Sequence, residues 1–225
     1  MHLLLGCKET DMSLEILYSD PHIVVCVKEA GVSSQSPGMP KRIAQEIGGE
    51  VPLCVHRLDL DVAGVMVYAR TPRAAAALTA QITAGTPEKV YRAVLRGAPP
   101  ESGEWQDLLY HDPRRNKTFV VDRMRRGVRE ASLSYRVLAR AESDGETFSL
   151  AEITLHTGRT HQIRVQSASR KFPVAGDGKY GGGKGKIALF SHSFTFDHPA
   201  SGERMRFSAL PHAEGVWALF DGELR

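Results

Sequence analysis

The segment from His56 to Gly64 holds the residues of this chain whose types and spacing are best suited to chemistry. Asp59 lies two residues from Arg57 and two residues from Asp61, and the segment runs into an apolar strand predicted from Val65 to Ala69. Loops at strand ends often carry reactive groups. Neighbouring carboxylates raise each other's pKa, whereas an arginine lowers it. The spacing therefore favours one ionised aspartate without saying which, and an Asp/Arg pair that caps a turn explains it equally well.

A second polar segment, from Thr157 to Arg164, places two arginines, a histidine and a glutamine at the predicted start of a helix. We predict Thr160 as the N-cap of a helix that runs from His161 to about Arg170. Helix N-termini favour anions. If Arg164 faces the core it needs a partner, because an unpaired buried charge is very costly. Asp59 is the candidate partner, and His161 by itself is expected to be structural rather than catalytic.

Two further patterns suggest contact with nucleic acid. The two-residue period of a strand places Lys89 and Tyr91 on one face of a strand predicted from Val90 to Leu95. The tyrosine either stacks on a base or is half-buried in the sheet. The second explanation is the simpler one. Seven cations lie within the 16 residues from 114 to 129, here called the basic segment. They bracket a predicted strand, which indicates a cationic hairpin that contacts phosphates. A solvated charged loop is the alternative.

Composition excludes several classes of protein. The 225 residues carry a net charge of +3 and only three widely spaced cysteines, which is typical of a cytoplasmic protein with reduced thiols. We predict no export signal despite Leu3–Cys7, and no apolar run has the length of a membrane helix. No His, Cys and carboxylate cluster has metal-ligand spacing. Gly176–Gly181 matches GxGxxG outside a βαβ unit, so we expect no dinucleotide site and no cofactor.

The order of elements predicts an α+β fold, with a mixed, mostly antiparallel central sheet and flanking helices. We expect a tail at residues 1–13 and one domain at residues 14–225. The predicted strands are Glu15–Tyr18, His22–Lys28, Val65–Ala69, Val90–Leu95, Thr118–Asp122, Ala131–Leu138, Thr147–His156, Ile187–Asp197 and Arg204–Ala209. The predicted helices are Lys41–Ile47, Ala74–Ala84, His161–Arg170 and His212–Phe220, with a loop at Gly31–Pro40. For the second of these helices we predict Thr71 as the N-cap and Pro72 as the first helical residue.

Several motifs, in order, resemble the RluA-type pseudouridine synthases. That family shows an HRLD segment followed by Thr-Ser-Gly, a K-x-Y strand and an R-T-H-Q-[IL]-R segment. They correspond here to His56–Asp59, Lys89–Tyr91 and Arg159–Arg164. Pro173 to Gly181 is similar to the family's P-x-x-GD-x-x-YG loop, and His198 to Glu203 is similar to its HP-x-TGE hairpin. The resemblance covers about residues 14 to 212 and implies the pseudouridine synthase fold.

The resemblance implies an isomerase that converts a uridine in RNA to pseudouridine without metal or other cofactor. Asp59 would be the nucleophile, Tyr91 would stack on the base and assist proton removal, and Arg164 would hold Asp59 ionised. Arg57 would help to expel the uridine from its stack, as chemistry on a base requires. The residues we expect to contact RNA are Arg57, Lys89, Arg114, Arg115, Lys117, Arg125, Arg126, Arg159, His161 and Gln162.

The chain departs from the family pattern in places. Val62–Ala63 replaces Thr-Ser, Asp61 adds an acid, and the N-K-P-x-G turn is represented by Val27–Gly31 without its proline. About 13 residues precede the first predicted strand, so we expect no N-terminal S4 RNA-binding domain. RNA recognition would then fall to the catalytic domain, including the basic segment. We expect a cytoplasmic monomer.

Two other functions are compatible with the same residues. One is a non-catalytic RNA-binding protein or RNA chaperone that retains the fold, an interpretation that the altered Val62–Ala63 favours. The other is a hydrolase that uses Asp59 and Asp61 as an acid/base pair and releases a free base. The sequence does not name the RNA or the uridine, and ribosomal RNA and transfer RNA both stay open.

Overall fold

The computed structural model describes residues 14–224, so the predicted tail at residues 1–13, with Leu3–Cys7, lies outside the described residues. The described chain contains eleven strands, three α-helices and one 3-10 segment. The strands are β1 (Ile16–Ser19), β2 (Ile23–Lys28), β3 (Leu53–Cys54), β4 (Ala63–Ala69), β5 (Glu88–Arg96), β6 (Ser102–Asp112), β7 (Lys117–Val121), β8 (Val128–Ser143), β9 (Glu146–Leu155), β10 (Leu189–Asp197) and β11 (Arg204–Ser208). The helices are α1 (Gly38–Ile47), α2 (Pro72–Ala84) and α3 (Gln162–Ser169), and the 3-10 segment is Gly215–Leu224.

The strands form one sheet with the order β1-β2-β4-β10-β5-β9-β8-β6-β7, to which β3 and β11 add at β4 and β10. Only the pairing of β10 with β4 is parallel among the described strands, and the others are antiparallel. The predicted α+β fold with a mixed, mostly antiparallel sheet and flanking helices is therefore confirmed. None of the helices in residues 14–224 is long and apolar enough to cross a membrane.

Strand β4 is apolar along its whole length because both of its faces are covered. Successive side chains of a strand point to opposite faces. Val65 and Val67 therefore belong to a cluster with α2, whereas Met66 and Tyr68 belong to the main core, which α1 also covers. Helix α2 begins as predicted, since Thr71 Oγ1 accepts a hydrogen bond from the Ala74 amide at 3.1 Å.

Several elements differ from the prediction, among them the two-residue strand β3, which was not predicted. Helix α1 begins at Gly38, inside the predicted loop, and β8 extends to Ser143. Strand β6 was not predicted, because only Trp105 and Leu109 of its eleven residues are buried and the apolar alternation is weak. The predicted last α-helix is instead the 3-10 segment, which starts three residues later.

The place of β10 in the sheet brings two distant segments together. Because β10 lies between β4 and β5, the loop that enters β4 and Tyr91 on β5 meet above the same strand. Gly64 and Tyr91 are both paired with Ser191 of β10. Gly64 has φ of 127°, and a Cβ there would lie 2.4 Å from the Ser191 carbonyl oxygen. The approach of the two strands therefore requires a glycine.

We expect Gly64→Ala to lower the free energy of unfolding by roughly 3 kcal/mol, because the new methyl group must push β4 away from β10. The matched control is Gly85→Ala, which also has positive φ but open space around its Cβ position. That control should lose only about 1 kcal/mol from backbone strain. Urea unfolding midpoints at equal m measure both, and equal losses would contradict the crowding argument.

Candidate active site

A cavity of about 560 Å³ opens above the place where β4, β10 and β5 meet. Its walls come from the loop before β4, from β5 and β10, and from the segment that leads into α3. It contains all three residues that the sequence predicts to be catalytic, namely Asp59, Tyr91 and Arg164. The sheet order therefore gathers residues from positions 59 to 164 into one site.

The loop that carries Asp59 is held by hydrogen bonds on both sides of that residue. The Ser34 hydroxyl donates to the Leu58 carbonyl at 3.0 Å and accepts from the Leu58 amide at 3.1 Å. The ammonium of Lys28 donates to the carbonyls of Leu60, Val62 and Glu29 at 2.8–2.9 Å. Three acceptors require three N–H groups, so Lys28 is an ammonium in this arrangement.

Lys28 is fully buried, and burial is the largest influence on its pKa. Burial lowers the pKa to about 8, while the nearby carboxylates of Asp61, Asp59 and Glu29 act in the opposite direction. The side chain therefore stays charged at neutral pH and places a cation directly beneath the Asp59 loop.

The Val62 side chain, which stands where the family pattern has threonine, is 2% exposed and packs into the core. Its amide donates to the Asp59 carbonyl at 3.1 Å and closes the turn.

The predicted ion pair between Asp59 and Arg164 is present in the structure. Arg164 Nη1 donates to Asp59 Oδ2 at 2.8 Å. The other edge of the guanidinium donates to Asp177, from Nε to Oδ2 at 2.6 Å and from Nη2 to Oδ1 at 2.9 Å. Arg164 is 5% exposed and Asp177 is fully buried. Arg164 is therefore the central cation of a triad that joins the partly exposed Asp59 in its loop, α3, and the buried Asp177 in the segment after α3.

Two opposed influences act on the pKa of Arg164. Burial lowers it, but the hydrogen bonds and negative charges of Asp177 and Asp59 outweigh burial and raise the pKa above its ordinary value. The guanidinium is thus a permanent cation beside Asp59.

The start of α3 differs from the prediction. The N-cap is His161 rather than Thr160, its φ is 54°, and its side chain makes no capping hydrogen bond. The Gln162 side chain orders the preceding segment instead, because its Oε1 accepts from the Arg159 amide and the Thr157 hydroxyl while its Nε2 donates to the Ser132 carbonyl. These bonds replace an N-cap as the support of the turn into α3.

Tyr91 lies on the wall of the cavity and is 9% exposed. Burial raises its pKa, and the negative charge of Asp59 raises it further. The Tyr91 phenol is therefore neutral, and it lies close enough to Asp59 for that negative charge to raise its pKa. The adjacent wall contains His56, whose ring stacks on Phe194 at 4.8 Å between centroids, and Lys89, whose ammonium lies 5.9 Å from the same ring. Burial, followed by the charge of Lys89, lowers the pKa of His56 to about 3.

The residues predicted to contact RNA fall into three groups. Arg57 and Arg159 are exposed at the cavity, and Lys89 is half-buried in its wall. His161 and Gln162 line the same cavity but are buried and contact protein. Of the residues in the basic segment, only Asn116 lines the cavity. RNA contact stays a prediction for all of them.

The basic segment is not a single hairpin tip. Arg114 and Arg115 lie in the turn between β6 and β7, whereas Arg125 and Arg126 lie in the turn between β7 and β8. The five residues of β7 separate the two turns by roughly 17 Å. The first turn adjoins the cavity through Asn116. The ammonium of Lys117, at the start of β7, lies 5.2 Å from the centre of the Tyr180 ring. The sequence shows a single cluster of cations, but it did not predict that they lie in two turns at opposite ends of β7.

Three residues of the site had no role assigned from sequence, although each lies in a motif noted above. Asp177 completes the triad, Lys28 holds the loop, and Tyr180 contacts His161. The signal that could have found Asp177 is the need of a buried arginine for a second partner. Asp61, by contrast, is exposed and lies outside the cavity lining. Within residues 14–224 no group of three His, Cys, Asp or Glu side chains is placed to hold a metal ion.

Comparison with known proteins identifies the family of this chain. The family model described as RNA pseudouridylate synthase matches residues 21–169, which is more than half of the chain. Ribosomal large subunit pseudouridine synthase D of Pseudomonas aeruginosa is 32% identical over 238 residues, covering 93% of this chain and 72% of that protein. The protein of the same name from Xanthomonas campestris is 34% identical over 227 residues, covering 88% of this chain and 66% of that protein.

A solved structure supports the same fold. Human RNA Pseudouridylate Synthase Domain Containing 1 superposes with a TM-score of 0.76 at 21% identity, covering 89% of this chain and 84% of that one. The matched family and the named relatives are RNA pseudouridine synthases, which are isomerases. The chain belongs to the RNA pseudouridylate synthase family.

We expect Asp177→Asn to lower the free energy of unfolding by about 3–5 kcal/mol, because it leaves the buried Arg164 with one charged partner instead of two. The control is Glu101→Gln at the exposed ion pair with Arg140, which should change stability by less than about 1 kcal/mol. Chemical unfolding measures both. A loss at Asp177 no larger than at Glu101 would show that Asp177 does not support the triad.

Proposed function

We propose that this chain converts a uridine in ribosomal RNA to pseudouridine with Asp59 as the nucleophile. The observation that carries the proposal is the Asp59–Arg164 ion pair at the cavity wall that also contains Tyr91. An ionised carboxylate held by a permanent cation in a half-enclosed cavity suits nucleophilic catalysis. The names of the relatives from Pseudomonas and Xanthomonas point to the large ribosomal subunit, and transfer RNA is the alternative substrate.

The reaction is an isomerisation and needs no co-reactant. The bond from N1 of uracil to C1′ of ribose breaks, and a bond from C5 to C1′ forms after the ring turns. The proton leaves C5, and N1 gains a proton, so atoms and charge balance. In this proposal the Asp59 carboxylate attacks C1′ and the N1–C1′ bond breaks, which leaves a uracil anion. After the ring turns, C5 attacks C1′ and releases Asp59, while Tyr91 stacks on the uracil and assists removal of the C5 proton. Arg57, exposed at the cavity mouth, helps to hold the base out of its stack.

Asp59 has one carboxylate oxygen committed and one available. Among the hydrogen bonds of the described residues, its side chain takes part through Oδ2 with Arg164 and makes none through Oδ1. Oδ1 is thus the atom we assign to attack. Asp61 is exposed and outside the cavity lining, which argues against the hydrolase in which both aspartates act. We further propose that residues 14–225 form the catalytic domain and that the protein is a cytoplasmic monomer.

The first experiment uses total RNA from the source organism with this gene deleted. Purified wild type and Asp61→Asn should each restore a carbodiimide-dependent reverse-transcription stop at one uridine. Asp59→Asn should bind the RNA but lower the rate of pseudouridine formation by roughly 10³-fold or more, because the nucleophile is gone. A restored stop names the RNA.

Two outcomes would overturn the proposal. No restored stop by the wild type, with RNA still bound, would favour the non-catalytic RNA-binding protein or chaperone. Release of free uracil by the wild type would favour the hydrolase, provided that Asp59→Asn and Asp61→Asn lose this activity to the same extent. Chromatography of the reaction products separates free uracil from pseudouridine in the chain.

The two basic turns should contribute unequally to RNA binding. We expect Arg114→Glu with Arg115→Glu to weaken binding more than Arg125→Glu with Arg126→Glu, because the first turn adjoins the cavity. For every phosphate that the protein no longer neutralises, the slope of log affinity against log salt should fall by about 0.7–0.9. Binding to the target RNA at several salt concentrations measures this slope. Unchanged slopes in both variants would exclude the basic segment from the RNA-binding surface.

A further inference from the structure

His161 is held in a backbone conformation that its residue type rarely adopts. Its φ of 54° lies in the left-handed region, and it makes no capping hydrogen bond that would account for this. Its side chain is buried, and the imidazole lies between Asp59 and Tyr180. A strained residue that persists beside a reactive group suggests a functional constraint on its side chain.

The polar contacts at the two ends of the His161 ring favour one of its tautomers. The Tyr180 hydroxyl oxygen accepts from the Thr118 amide at 2.8 Å and lies 2.9 Å from His161 Nδ1, so its own proton is free to point at Nδ1. At the other end of the ring, Nε2 lies 3.7 Å from Asp59 Oδ2, and a carboxylate only accepts. Both contacts are favourable only when Nε2 carries the proton and Tyr180 donates to Nδ1. His161 Nδ1 is therefore an acceptor.

The neutral imidazole then carries its proton on Nε2. Burial, followed by the charges around it, lowers the pKa of His161 to about 4, although Asp59 alone would raise it. Nε2 lies 3.7 Å from Asp59 Oδ2, the same oxygen that accepts from Arg164. The Nε2–H group faces a carboxylate at a distance where the attraction is electrostatic rather than a full hydrogen bond.

We propose that His161 is a positioning residue for Asp59 and that Tyr180 selects its tautomer. With Arg164 and the Nε2–H group of His161 both on Oδ2, rotation of the carboxylate is opposed and Oδ1 stays directed into the cavity. In the other tautomer the Nε2 lone pair would face Oδ2 and repel it. The role of Tyr180 is therefore indirect, since it acts through His161. This inference rests on the proposed function of Asp59.

The experiment is a double-mutant cycle on the target RNA. Tyr180→Phe removes the proton donor to Nδ1, so the Nε2 proton is no longer enforced, and kcat should fall about 10-fold with little change in KM. His161→Gln places an amide N–H near the position of Nε2 whatever residue 180 is. Tyr180→Phe should therefore cost no further activity in the Gln background.

Two controls separate positioning from a structural role. Tyr180→Phe also leaves the Thr118 amide without its acceptor, and if that is the cause of the loss, the loss will persist in the Gln background and overturn the proposal. His161→Asn tolerates positive φ better than Gln but is too short to reach Asp59. We expect His161→Asn to be less active than His161→Gln, and the reverse order would show that backbone strain, not the donor, is what matters.

A spectroscopic readout tests the tautomer without any substrate. Side-chain ¹⁵N chemical shifts should show His161 protonated at Nε2 in the wild type at pH 7, and a population protonated at Nδ1 in Tyr180→Phe. Protonation at Nδ1 in the wild type would overturn the inference. If the wild type forms no pseudouridine while the Nε2 tautomer is present, the proposed function fails and the hydrogen-bond chain stands.

Discussion

The site depends on one buried cation. Arg164 is almost inaccessible and lies between Asp59 and Asp177, and its ion pairs with these two carboxylates offset the free-energy cost of its burial. Its two partners are 105 and 13 residues away in sequence. The contact therefore ties the loop before β4 to α3 and to the segment after it. The ion pair with Asp59 therefore depends on correct assembly of the sheet.

A second cation supports the same loop from below. Lys28 reaches the backbone of the Asp59 loop from the end of β2, and Ser34 holds the loop on the other side. The backbone around Asp59 is thus determined by buried hydrogen bonds rather than by the residues at positions 62 and 63. This explains how Val62 can replace a hydroxyl residue of the family pattern, since its amide still closes the turn and its side chain packs in the core.

Much of the fold and the central ion pair could be predicted from the sequence. The strong local signals were apolar alternation in the strands and the Thr71–Pro72 start of α2. The cost of an unpaired buried charge predicted that Arg164 needs a partner, with Asp59 as the candidate, and the family resemblance implied the same pair. The rest depends on non-local facts. Strand β6 buries too few side chains to show alternation, the N-cap at His161 requires a left-handed residue, and the separation of the two basic turns follows from an extended strand between them.

The two-pronged contact of Asp177 with Arg164 has a consequence for the course of the proposed reaction. When Asp59 forms a covalent bond with the nucleotide it ceases to be an anion, and an arginine with no other partner would then be a stranded charge in a low-dielectric interior. Asp177 keeps two hydrogen bonds to the guanidinium throughout. In the intermediate the guanidinium therefore still has one charged partner, although the site has lost the negative charge of Asp59. Asp177 therefore acts as a permanent counter-ion of Arg164, so Asp59 can form and break its covalent bond without leaving the guanidinium unpaired.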